Sequence, residues 1–148
     1  MYGDTDVMRK RARELREQGV DLRATADRLV AQTEHAGWTG RAAAALDERV
    51  RDRATHLREV AAQHDTAADT LDAHLAEVDR LKDLIAAIER RADGLVTEAR
   101  TRVARLRAAE SGEHGLRVLP DPEDEQLAAF EEPPPGHRAW LAVELPGL

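Results

Sequence analysis

Cysteine is absent from this chain, and aromatic side chains nearly so: two tryptophans, one tyrosine and one phenylalanine make up 3% of 148 residues. The first absence excludes disulfides, thiolate metal sites and cysteine nucleophiles. The second removes the large side chains that usually fill a globular centre. Since much of the 42% hydrophobic content is alanine, the buried layer is expected to be thin and seam-like. No stretch approaches the ~18 consecutive apolar residues of a membrane span, so stable membrane insertion is not expected. The opening Met1-Tyr2-Gly3-Asp4-Thr5-Asp6 is not the basic-then-apolar pattern of a signal peptide, and cleavage of one is not expected.

Enzymatic groupings are equally scarce. The histidines, His35, His56, His64, His74, His114 and His137, form neither a His-x-x-x-His pair nor the Glu-x-x-His of bundle di-iron sites. Ser111 is the only serine, the hydroxyls lack a base with an orienting acid, and no glycine-rich phosphate loop occurs. The expectation is a protein that is not an enzyme, with no catalytic residues, no metal and no cofactor.

What the chain has is charge and helix formers. Charged residues account for 34%, and Ala, Leu, Glu and Arg dominate, the composition of coiled coils and long helical bundles. The fold class expected is all-α. The net charge of -7 is uneven: residues 111 to 148 carry two basic side chains against eight acidic ones, leaving 20 against 21 before them. An acidic balance disfavours nucleic acid as a partner. The basic clusters Arg9 to Arg16 and Arg91 to Arg107 are interspersed with Glu14, Glu17 and Glu98, and read as solvated helix faces.

Periodicity predicts a first helix from Asp4 or Thr5 to about His35, with Gly37 in the left-handed position that ends it. Met8, Leu15, Leu22 and Leu29 recur every seven residues, and Ala12, Gly19, Ala26 and Thr33 supply small side chains four further on, so that a partner helix can come close. A second helix is expected from a Thr39 cap, with no glycine or proline before Gly94. Val50, Leu57, His64, Leu71, Val78 and Ile85 hold one heptad position; Leu46, Val60, Ala67, Leu81 and Ile88 are expected at the other. His64 and His74 then fall on the seam, as polar layers that set register or as a pH-sensitive interface. The pattern describes an antiparallel, coiled-coil-like helical hairpin whose second helix overhangs the first. The overhang needs either a partner chain or a third helix folding back after Gly94 with Leu95, Val96, Ala99, Val103 and Leu106.

Between the helices stands Trp38-Thr39-Gly40. A tryptophan beside a glycine turn is expected to pack its apolar surface against both helices. Two helices joined by Trp-X-Gly near position 40, in a unit of about 95 residues, resemble the WxG family of type VII (ESX) secretion proteins. The stretch Leu29 to Leu46, with Gly37, Trp38, Gly40 and the alanine run Ala42 to Ala45, is similar to the N-terminal export domains of actinobacterial type VII substrates. The resemblance implies a hairpin that pairs as a homodimer or heterodimer with a related hairpin or effector. It further implies recognition by a membrane secretion ATPase, and export from the cytoplasm without a cleaved signal peptide. It gives Trp38 the role of packing in the turn and shaping the recognised surface, and Gly40 that of permitting the turn. Partner-binding residues are then Trp38, Gly40, Leu15, Leu22, Leu29, Leu57, Leu71, Val78, Leu81, Ile85 and Ile88. The family's Tyr-x-x-x-Asp/Glu signal follows the second helix, whereas the only tyrosine here is Tyr2. Both roles, secreted substrate and targeting partner, are open, and a cytoplasmic coiled-coil scaffold without a secretion role is the alternative.

The chain divides into a hairpin over residues 1 to 93, a helical extension over 94 to 110 and an acidic, proline-containing tail over 111 to 148. Pro120, Pro122 and Pro133-Pro134-Pro135-Gly136 predict an extended tail with apolar spots at Leu127 to Phe130 and Trp140 to Leu145. The tail is either disordered or a docking segment whose Trp140, Leu141, Val143 and Leu145 cover the helices or a partner. Trp140 to Leu145 also alternates enough to form a strand.

Overall fold

The computed structural model describes residues 5–110 and 117–148. It is helical, with no strand among the described residues: α1 spans Thr5–His35, α2 Arg41–Glu110 and α3 Pro122–Ala128, and a 3-10 turn spans Arg138–Ala142. Two units pack separately, one made of α1 with α2 up to Val78, the other of everything from Asp79 on. No helix among the described residues is long and apolar enough to cross a membrane.

The first helix ends as its sequence dictates, with Gly37 at φ 60° where a Cβ would be strained. Gly40 follows at φ 101°, and its carbonyl accepts the N–H of Ala44 at 3.0 Å, so Gly40 rather than Thr39 stands at the head of α2. That helix then runs 70 residues without a break. The fold-back after Gly94 does not occur. A lone glycine costs a helix about 1 kcal/mol, and with no proline or capping residue after it the apolar period carries the helix through.

In the first unit the seam is made of the smallest side chains. Among the described residues of this unit, Ala12, Gly19 and Ala26 of α1, and Ala54, Ala61, Ala68 and Leu75 of α2, are the buried ones, each set at seven-residue spacing. The second α2 series therefore sits one residue later than periodicity predicts: Ala68 is buried and Ala67 exposed, Leu75 is buried and His74 exposed, and Leu46 is 40% exposed. A seam of alanines brings backbones close, and contact between neighbouring alanines on the helix selects the register. A Cβ on Gly19 would lie 3.3 Å from the Ala61 carbonyl oxygen and 3.0 Å from Asp65 Oδ1.

This contact separates two glycines of the same type. Gly94→Ala, with nothing within 4 Å of the new methyl, should raise stability by about 1 kcal/mol. Gly19→Ala should gain nothing or lose slightly, since the same propensity is offset by crowding against backbone and against a carboxylate held by Arg23. Denaturant titration followed by circular dichroism compares them directly.

Ion pairs line one flank of the seam. Arg16 reaches Asp69 and Asp72, both at 2.7 Å, Arg23 pairs with Asp65, Asp27 with Arg58 at 2.7 Å and Glu34 with Arg51 at 3.7 Å. Partners of later α1 residues come earlier in α2. Each pair is exposed and contributes little alone.

Candidate functional site

The two flanks of the seam differ in chemistry. Arg16 and Arg23 lie four residues after Ala12 and Gly19, and Arg58, Asp65 and Asp72 four after Ala54, Ala61 and Ala68, on the ion-paired flank. Three residues after the same small side chains come Leu15, Leu22 and Leu29 on α1, and Leu57, His64, Leu71 and Val78 on α2. Positions three and four residues on from a seam residue diverge to opposite sides of it, so these residues form two parallel apolar rows on the flank away from the ion pairs. Every one of them is half-buried. The rows are the site residues that the sequence points to and the structure brings together.

His64 interrupts the α2 row. Its Nδ1 donates to the Val60 carbonyl at 2.9 Å, one turn back on its own helix. His74 is exposed and is not part of the seam.

Trp38 departs from expectation. It is 72% exposed and does not clamp the two helices. Helices that meet through alanine leave no space between their ends for an indole, and the adjoining Ala36, Thr39 and Gly40 are too small to wall it in. It stands instead on the rim of an open depression of about 700 Å³, whose apolar lining includes Leu29, Ala43, Ala44, Leu46 and Val50. Gly40 stands beside it at φ 101°, which only glycine adopts without strain.

Leu81, Ile85 and Ile88 belong to the second unit. Ile85 is only 1% exposed within that unit's core, together with Ala92, Val96, Ala99 and Val103, and so is not available to a partner. Leu81 and Ile88 are half-buried there.

The tail docks. Asp121 caps α3 by accepting the Glu123 N–H at 2.9 Å, Pro122 occupies the first turn, and Glu123, Asp124 and Glu125 complement the positive end of the helix. Arg102 grips Asp124 with two bonds, 2.8 and 2.6 Å. This bidentate pairing holds the Asp124 carboxyl below its ordinary value. The contact is therefore complete at neutral pH and is lost only as pH falls through that lowered value. Trp140 is buried, donates from its indole N–H to the Pro134 carbonyl at 3.1 Å, and meets Phe130 at 6.3 Å with rings tilted by 60°. Leu127 is the second buried anchor. Val143 and Leu145 are half-buried, while Leu141 is 42% exposed. Residues 138–142 form a 3-10 turn rather than the strand their alternation suggests, capped by His137, whose Nδ1 accepts the Ala139 N–H at 3.1 Å. That turn points Leu141 outward.

Tyr2, Ser111 and His114 lie outside the described residues. Among the described residues no three His, Asp or Glu side chains gather in a way that could hold a metal ion. Comparison with family models, curated proteins and solved structures finds no match to this chain.

Proposed function

We propose that this chain is a helical partner-recognition protein associated with type VII secretion, acting as a secreted substrate or as the helical partner or targeting chaperone of a larger effector. In this reading residues 1 to 93 hold an antiparallel hairpin, and two hairpins, of one kind or of two related kinds, join face to face into a four-helix bundle. The observation that carries it is the pair of half-buried apolar rows, Leu15, Leu22 and Leu29 beside Leu57, Leu71 and Val78. The α1–α2 contact is already closed by alanine and glycine, so the leucines are not needed for it, and a second apolar face serves a second pair of helices. Exposed Trp38 and its depression then offer an end surface to the export machinery, whose ATPase the resemblance names.

Two experiments test the two levels of this reading. Light scattering of the purified chain should show an assembly, alone or with the related hairpin, that Leu22→Glu with Leu71→Glu weakens by more than about 100-fold, because an unpaired carboxylate would be buried in the apolar layer. An assembly unmoved by both substitutions would remove the leucine rows from the account. Culture-supernatant proteomics, with and without the secretion ATPase, tests export. A second reading, a cytoplasmic coiled-coil scaffold, is favoured by the unbroken 70-residue α2, long for a hairpin unit, and predicts no ATPase-dependent appearance outside the cell.

A further inference from the structure

The stretch of α2 from Glu89 to Arg102 holds the tail by two kinds of grip. One takes main-chain atoms: Arg91 donates from Nε and Nη2 to the Gly147 carbonyl at 2.9 and 2.6 Å, Arg100 donates to the carbonyls of Ala128 and Phe130, both at 3.3 Å, and the Glu89 carboxylate accepts the Gly136 N–H. The other takes side chains, through Arg102 on Asp124, with Leu127 and Trp140 buried in the same unit. Main-chain grips secure an extended segment and side-chain grips choose which one, the division of labour of a peptide-binding groove.

Charge matches as well. Residues 90 to 107 of α2 hold six arginines against Asp93 and Glu98, and residues 117 to 148 hold two arginines against seven acids. All the gripping groups lie on a single helix. None of these contacts requires the bound segment to belong to the same chain.

We propose that Glu89 to Arg102 is a peptide-docking surface for an acidic, proline-containing segment with a tryptophan anchor. The chain's own residues 117–148 fill it in the free protein, and the same segment of a second copy fills it when copies assemble. The occupant is argued from the docked tail itself: every copy carries both the surface and its complement, so attachment within one chain and exchange between two compete for the same contacts. This exchange does not use the leucine rows, and it stands or falls separately from them.

The chain carrying Trp38→Phe and Trp140→Ala has no indole, so a synthetic peptide of residues 117–148 supplies Trp140 as the only indole, excited selectively over Tyr2 at the red edge of its absorption. Titration with that chain is expected to shift the peptide's emission to the blue and to saturate. Arg91→Ala with Arg102→Ala should weaken the titration by about tenfold or more, while Leu22→Glu leaves it unchanged. Emission that stays red, from a chain whose helical dichroism is intact, overturns the docking surface. Should Trp140→Ala lower the helicity, Trp38→Phe with Trp140→Phe serves in the same titration. Exchange is read on the full chain: with Leu22→Glu and Leu71→Glu in place, a dimer should still form at high concentration and vanish on adding Trp140→Ala. A monomer at every concentration overturns the exchange.

Discussion

Ala61→Leu is expected to lower the thermal midpoint by up to about 9 °C, a larger loss than truncating a leucine of the neighbouring row. Ala61 is fully buried, and its backbone is the closest approach to Gly19 on the facing helix. Three added carbons have nowhere to go without parting the helices. Overpacking of a tight core costs about 1 to 3 kcal/mol, and here the shift would also stretch the neighbouring Arg23–Asp65 pair. For a chain of this length each kcal/mol moves the midpoint by about 3 °C. Leu15→Ala, which removes more apolar volume from a half-buried position, should cost only about 1 kcal/mol. The ranking inverts the usual one, in which leucine is the core and alanine the filler. Thermal melts followed by circular dichroism at 222 nm decide it, and a Leu15→Ala loss as large as that of Ala61→Leu would place the main contact on the leucine row instead.

Trp140→Ala is expected to release the tail while leaving α2 helical. Truncating a buried tryptophan typically costs about 3 to 5 kcal/mol, and among its described residues the tail has one other buried anchor, Leu127. The Arg91, Arg100 and Arg102 contacts are exposed and cannot make up that loss. Limited proteolysis should cut the variant between residues 117 and 148 under conditions in which the parent chain is spared. Trp38→Ala, at 72% exposure, should change neither stability nor cleavage, within about 0.5 kcal/mol. The contrast is sharp because the two indoles are the only ones present: one contributes to folding, the other is free to contribute to recognition.

Most of the architecture was legible in the residues. Gly37 marked the end of α1, helix formers marked α2 as far as Gly94 though not its continuation to Glu110, and the small residues of α1 were identified with their neighbouring leucines. What escaped was governed by packing distance. Val60 and Ala67 looked like seam positions on apolar character, but a close contact ranks positions by how little they protrude, and Ala61 and Ala68 won the inner place. Trp38 was misjudged for the same reason, since size makes a side chain valuable in a core only where the backbone leaves it room. The tail held a readable signal that its prolines obscured. Asp121-Pro122-Glu123-Asp124-Glu125 has a capping residue, a proline at the first position and an acidic first turn, which start a helix rather than forbid one. Docking of the tail depended on long-range partners on α2, which no local pattern encodes.

The row of ion pairs carries a change of sign. Arg16 and Arg23 of α1 face aspartates, whereas Asp27 and Glu34 face arginines, so polarity reverses between Arg23 and Asp27 on one helix and between Arg58 and Asp65 on the other. An alanine track is smooth, and on shape alone one helix could slip a heptad along the other at little cost. Slippage one way would set Arg23 against Arg58, and the other way Asp27 against Asp65. The individual bonds are weak, yet the order of their charges brings one like-charge pair into each displaced alignment, against none among the pairs of the observed one. The paired helices thereby carry a bias toward one alignment, written where Arg23, Asp27, Arg58 and Asp65 change sign.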